Sequence, residues 1–377
     1  MVDAAAYFTC VCVCARAQEA LLKLVDGCPR MTDFRAAYAT VSVVFISAVG
    51  DHWSGASRID SSDVTEGLTR LDLSFCKTAD SDDAAVMCET LAHTLAQCSA
   101  LRTLALAGFA AMRPDTVSLD DTLVLPHPAD VVIEAVLAGC PCLVDLNCSE
   151  TDIGAGAVAS TLFQLENSGR SSSSGEGRSG CLGLARVNFS GCRRLGGETF
   201  VALLRGCPNL IDLNLGYCCN EEHAQVSAAE ARGRARAHAL GTHKHAHEGA
   251  PVDARVITDN DLGYLRTARC VDKLHGLRLG GMGSKSDVPW PTVGGSEAKA
   301  FGNNGVREAL AANGEGRNLS ALQTIDLSHS AVTNSTIMEV ALASPELSRL
   351  NVVGSKCTRE LHRMLREAGC SARVFGI

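Results

Sequence analysis

The apolar positions of this chain recur in one short frame, Leu-x-x-Leu-x-Leu, with polar residues at fixed places between them. Two adjacent copies show it most clearly. One runs from Cys181 through Leu184, Val187 and Phe189 to Cys192; the next runs from Cys207 through Leu210, Leu213 and Leu215 to Cys218. Leu184 and Leu210 stand 26 residues apart. The frame starts again at Leu68, Leu101, Leu143, Leu274, Leu322 and Leu347, and a degenerate copy starts at Met31 after Gly27-Cys28-Pro29. Alternation in the second half of the frame predicts a short strand, with the apolar residues on one side and the intervening residues on the other. Beyond each strand the apolar spacing becomes helical, which predicts helices over residues 83–97, 130–138, 197–205, 259–269, 335–343 and 359–367.

A strand–helix unit of this size cannot bury its own apolar face; stacking successive copies makes one continuous core. The expected fold is therefore an α/β leucine-rich-repeat solenoid, a horseshoe with parallel strands on the concave face and helices on the convex face. We expect a capping segment over residues 1–20, one solenoid domain of eight to nine repeats over residues 21–370, and a tail over residues 371–377. Insertions are expected near residues 112–128, 168–180, 221–255 and 280–317, projecting from the frame. The second is rich in Gly and Ser, the third in Ala, Arg and His, and the fourth in Gly, with Trp290 between Pro289 and Pro291.

Ten of the 18 cysteines fit this register. Cys28, Cys98, Cys140, Cys181 and Cys207 each stand three residues before a first Leu or Met, and Cys76, Cys192 and Cys218 stand eight residues after one. Cys148 takes the place of a strand leucine, and Cys270 lies one place off the pre-strand column. In such columns cysteine is a small buried hydrophobe. The pattern points to packing in a reducing compartment, the cytoplasm or nucleus, rather than to a disulfide framework. The net charge of -8, with 46% hydrophobic residues, excludes wholesale disorder and gives no footprint for nucleic acid or an anionic membrane. Aromatics, at 4%, are too few for base-stacking platforms. No apolar run approaches the ~20 residues of a bilayer span, and the apolar N-terminus lacks the basic flank of a signal peptide.

The phrases Gly139-Cys140-Pro141, Gly206-Cys207-Pro208-Asn209-Leu210 and Ile257-Thr258-Asp259, with Asp261-Leu262 following, resemble the cysteine-containing leucine-rich-repeat subfamily. That subfamily is typical of F-box leucine-rich-repeat proteins and of the repeat-only antagonist-of-mitotic-exit-network family. The resemblance implies non-enzymatic protein recognition, as a substrate-recognition or adaptor subunit in SCF-type ubiquitin-ligase work, with ligase subunits among the partners. The residues ahead of the first repeat do not read as an F-box module, so the chain is more similar to the repeat-only relatives, which need another subunit to reach a ligase. The alternative expectation is a structural scaffold subunit of a cytoskeletal or ciliary assembly.

The candidate binding surface is the outward side of the strands. One column reads Asp72, Ala105, Asn147, Asn188, Asn214, Arg278, Asp326 and Asn351; two residues earlier the chain reads Arg70, Thr103, Asp145, Arg186, Asp212, Gly276, Thr324 and Arg349. Together they make a ribbon of carboxylates, amides and guanidinium groups suited to an extended protein partner. Trp290 is a candidate loop anchor. Other motifs read as bland. His238, His243, His245 and His247 sit in a basic low-complexity stretch without paired cysteines. Cys10, Cys12 and Cys14 alternate as an apolar edge would. The Gly280–Ser286 stretch lacks the Gly-Lys-Ser/Thr order of a phosphate loop. No nucleophile–base or paired-carboxylate arrangement stands out, so no catalytic residue, metal or cofactor is expected.

Overall fold

A computed structural model describes residues 15–28, 31–53, 67–79, 82–113, 127–171, 183–218, 257–282, 290–291, 297–298, 301–310 and 319–376. The chain forms two compact units, Met1–Phe189 and Ser190–Ile377. The division falls inside the repeat that starts at Leu184.

In the first unit the described elements are α1 (Ala15–Gly27), β1 (Asp33–Arg35), α2 (Val43–Trp53), β2 (Arg70–Asp72), α3 (Ala84–Gln97), β3 (Thr103–Ala105), α4 (Pro128–Gly139), β4 (Asp145–Asn147), α5 (Ala155–Ser171) and β5 (Arg186–Asn188). The five strands pair in parallel and in sequence order. Their register sets Phe34, Leu71, Leu104, Leu146 and Val187 side by side, all buried. The degenerate copy at Met31 is thus a true repeat in which Phe34 replaces leucine. Phe45 and Trp53 fill the space around it, with ring centroids 5.6 and 5.2 Å from Phe34, and the Trp53 indole donates to the Cys28 carbonyl at 3.0 Å.

In the second unit they are α6 (Gly197–Gly206), β6 (Asp212–Asn214), the short α7 (Asp259–Gly263), β7 (Gly276–Arg278), α8 (Asn303–Leu310), β8 (Thr324–Asp326), α9 (Asn334–Ala343), β9 (Arg349–Asn351), α10 (Glu360–Glu367) and β10 (Arg373–Phe375). Here the parallel register aligns Leu213, Leu277, Ile325, Leu350 and Val374. Each unit is an α/β leucine-rich-repeat solenoid, its strands forming one layer and its helices another.

Several elements differ from the sequence expectation. Helix α8 lies within residues 280–317, expected as an insertion, because Val306, Ala309 and Leu310 supply a buried face without the leucine spacing seen elsewhere. Helices α2 and α5 were not anticipated. The 371–377 tail contains β10, which continues the register although only Val374 keeps an apolar place in the frame. The helix expected over residues 259–269 shortens to α7 and passes into a 3-10 turn at Tyr264–Arg266. Its start is sharp because Thr258 and Asp261 form a reciprocal capping box.

The repeats are also tied together at their helix N-termini. Asp130 of α4 accepts from the Gly154 N–H, just ahead of α5, at 2.6 Å. Asp259 of α7 accepts from the Gly302 N–H at 2.9 Å. Asn303 of α8 accepts from the Thr333 N–H at 2.9 Å and from the Thr333 and Thr336 hydroxyls, and Asn334 of α9 accepts from the Thr358 N–H at 2.9 Å. In each pair, a short polar side chain at the start of one helix satisfies an N–H at the start of the next, which otherwise lacks a partner.

Candidate protein-recognition surface

Strands of three residues leave little room for irregularity, so the turn that follows decides where the outward side chains sit. The last strand residue is usually Asp or Asn, and its side-chain oxygen accepts from the N–H two residues on. Asp72 does this for Ser74 at 3.0 Å, Asn147 for Ser149 at 3.2 Å, Asn214 for Gly216 at 3.1 Å, Asp326 for Ser328 at 2.9 Å and Asn351 for Val353 at 3.2 Å. These are Asx turns, in which a short acceptor side chain bends its own backbone. Five of the eight residues in the outward column expected to meet a partner therefore have one side-chain oxygen committed to the fold.

Two residues after each of these N–H donors' predecessors, seven places past the first Leu of the frame, the backbone turns left-handed. The column reads Tyr38, Phe75, Gly108, Glu150, Gly191, Tyr217, Gly281, His329 and Gly354, with φ from 55° to 75°. Non-glycine residues there accept a backbone penalty of about 1 kcal/mol. Where an aromatic ring occupies the position, the next copy either stacks on it or makes way. Tyr38 stacks on Phe75 with centroids 5.1 Å apart and planes 10° off parallel. A Cβ on Gly108 would meet the Phe75 ring at 2.6 Å, one on Gly281 the Tyr217 ring at 2.6 Å, and one on Gly354 the His329 ring at 2.5 Å. Tyr38 and Tyr217 remain 62% and 53% exposed, placing an aromatic in each unit at the carboxyl ends of the strands. This column was not among the expected site residues, although the Tyr/Phe/Gly alternation seven residues past the first Leu is a readable signal.

The first outward residue of each strand carries most of the charge pairing. In the first unit Arg35 grips Asp33 through both nitrogens at 3.1 and 3.0 Å, and Arg70 stands 4.0 Å from Asp33. Arg186 lies directly across from Asp145 and donates to it at 2.7 Å. In the second unit Arg278 donates to Asp212 at 2.9 Å. That contact depends on Gly276, the residue in register with Asp212: its missing side chain lets the carboxylate lean over β7, and a Cβ would sit 2.8 Å from the Asp212 Cγ. Asn351 donates to Asp326 at 2.9 Å. The expected residues Arg70, Asp72, Asp145, Asn147, Arg186 and Asn188 thus share one strand layer in the first unit, and Asp212, Asn214, Arg278, Asp326, Arg349 and Asn351 share another in the second. Exposed pairs of this kind contribute only ~0–1 kcal/mol each.

The backbone at Trp290–Pro291 pairs antiparallel with Glu297–Ala298. The histidine-rich stretch at residues 238–247, Cys10, Cys12 and Cys14 lie outside the described residues, as does most of the Gly280–Ser286 stretch. Buried cysteines use their thiols as donors to backbone carbonyls: Cys76 to Ala36 at 2.8 Å, Cys98 to Thr94 at 3.3 Å and Cys140 to Leu95 at 3.2 Å. Burial pushes the Cys76 and Cys88 thiols up to about 12 and those of Cys98 and Cys270 to about 11. Protonated thiols are poor nucleophiles, which fits a packing role. No described helix is long and apolar enough to cross a membrane.

No protein-family model matches the chain. No curated protein matches it in sequence. Among solved structures it is similar to yeast Rad7 in its complex with Elc1, at 13% identity and a TM-score of 0.48, over 95% of this chain and 71% of that one. It is also similar to an internalin, InlF, of Listeria monocytogenes, at 13% identity and a TM-score of 0.33, over 93% and 88% of the two chains. A third match is mouse RP105 in complex with MD-1, at 15% identity and a TM-score of 0.33, over 80% of this chain but only a third of that one.

Proposed function

We propose that this chain is a non-enzymatic protein-recognition module that contacts partner proteins through the outward side of its strands. The observation that carries this reading is the chemistry of that side. Three-residue strands whose apolar row is buried from Phe34 to Leu350 present Asp, Asn and Arg on the opposite side, held by turn hydrogen bonds and cross-strand pairs. These pairs contribute little to stability, so their groups can be exchanged for a partner's at low cost while still fixing register and orientation. The Gly-Cys-Pro and Ile-Thr-Asp phrases support a finer assignment, a substrate-recognition or adaptor subunit serving an SCF-type ubiquitin ligase in the cytoplasm or nucleus.

The test is affinity purification from the native cells with the wild type and with a D145N/R186Q/D212N/R278Q variant whose melting is unchanged. The variant is expected to lose partners that the wild type retains; identical capture overturns the recognition surface. A cullin or its adaptor among the lost partners supports the ligase assignment. A stable set of cytoskeletal or ciliary subunits in their place assigns the chain to a structural scaffold.

A further inference from the structure

The strand side of the second unit breaks its own charge rule at one end. Arg35, Arg70, Arg186 and Arg278 each have a carboxylate within 4.0 Å. Arg349 and Arg373 have none among the described residues. The register places them directly opposite one another on β9 and β10, where like charges are mutually destabilising. Both are exposed, and on the other side Arg349 adjoins Thr324 rather than an acid. The nearest acid in the outward columns, Asp326, already accepts from Asn351 and from the Ser328 N–H. Two residues on, in register with Asn351, Phe375 stands half exposed, and Val353 beyond Asn351 is 39% exposed. Local rules of charge pairing and apolar burial therefore fail together at one corner, and such joint failures mark functional sites.

We propose that Arg349, Arg373 and Phe375 form a recognition corner for an acidic peptide segment of a protein partner. A carboxylate of that segment bridges the two guanidinium groups, and an adjacent apolar side chain packs on Phe375. The charge complementarity is specific. Two guanidinium groups on residues in register offer planar, forked donors matched to an oxyanion, and an anion between them removes their mutual repulsion. Arginine beside an exposed aromatic is also the composition of interface hot spots. The inference rests on the strand-side recognition reading above and narrows it to one end of the second unit.

The experiment uses the full chain and fluorescein-labelled extended peptides of equal length built from Glu and Leu, Ser and Leu, or Lys and Leu, with binding followed by fluorescence anisotropy. The Glu/Leu peptide is expected to bind best and to weaken as salt rises. R349Q and R373Q should each weaken it about tenfold or more, as loss of a charge-assisted hydrogen bond requires. R349K and R373K should recover part of the affinity, and F375A should weaken Glu/Leu binding without changing its salt dependence. Circular dichroism confirms that each variant is folded. Equal binding of the Glu/Leu and Ser/Leu peptides, or a Glu/Leu affinity untouched by R349Q and R373Q, overturns the corner. If R186Q or D212N abolishes peptide binding while R349Q does not, the corner is wrong and recognition by other parts of the strand side stands. If no strand-side variant matters, both readings fall.

Discussion

The ring of Tyr217 lies over Gly281, so close that a Cβ on the glycine would fall 2.6 Å from the Tyr217 Cδ1. Both residues occupy the same place in consecutive repeats, and both have left-handed backbone, with φ of 60° and 74°. One repeat thus supplies the ring and the next supplies the space.

Gly281→Ala should lower stability by about 1–3 kcal/mol, combining the left-handed penalty with displacement of the ring. Urea denaturation measures the loss. In a Tyr217→Ala background the steric part disappears and only the backbone part remains, so the two changes should be clearly non-additive. Additive losses would show that the ring and the glycine are uncoupled.

Asn303 accepts from the Thr333 N–H and from two threonine hydroxyls, one of them on the fully buried Thr336. Asn303→Ala strips these donors of their acceptor and should cost about 1–3 kcal/mol. Thr336→Val removes one donor as well as its need for a partner, so Asn303→Ala should cost less in that background. A double-mutant cycle by chemical denaturation reads the difference.

Gly276→Ala acts on the Asp212 carboxylate that covers the glycine. The new methyl group should push the Asp212 carboxylate away from Arg278. In the parent protein, a cycle of Asp212→Asn and Arg278→Gln should give a coupling of about 0.2–1 kcal/mol. That coupling should fall towards zero in the Gly276→Ala protein, and a coupling that survives would mean the pair re-forms by another route.

Buried thiols set a limit on alkaline stability. Cys76, Cys88, Cys98 and Cys270 have folded values of about 11 to 12, against 9.0 for the free group. Between these values the folded state holds protons that the unfolded chain has released. Their stabilising contribution is therefore complete below pH 9.0 and is lost as pH rises from there through the folded values. Urea midpoints should drop steeply above about pH 9, and Cys76→Ala should flatten that slope. At neutral pH, among the described cysteines, exposed Cys142 should react with iodoacetamide while the buried ones wait for unfolding.

The layered fold was legible because Leu184, Leu210 and their counterparts repeat a period-two pattern that only a strand with one buried side explains. The outward residues were legible for the same reason: once the register is known, Asp145 must face Arg186 and Thr324 must face Arg349. Less visible were features that depend on the third dimension. Gly276 reads as a gap in the column, yet it creates the Asp212–Arg278 contact. Asn303 sits in a glycine-rich stretch that reads as an insertion, while its role is to cap a neighbouring helix. The Asx turns hid in plain view, because Asp72 and Asn214 look identical whether they serve a partner or their own backbone. Strand β10 escaped notice because Ser371 replaces the leading leucine and a single valine is a weak periodic signal.

After five of the strands the turn closes on itself, from the Asx acceptor to the left-handed residue, before any connecting segment begins. Spacings between successive first leucines consequently range from 25 to 64 residues with the strand register intact. Closing a longer loop adds only ~0.6 kcal/mol per doubling of its length. The design separates an invariant ruler from a variable cargo. New surface can be acquired by lengthening a connection, without renegotiating the core, and a foreign epitope grafted beyond Cys218 should be carried by an otherwise unaltered scaffold.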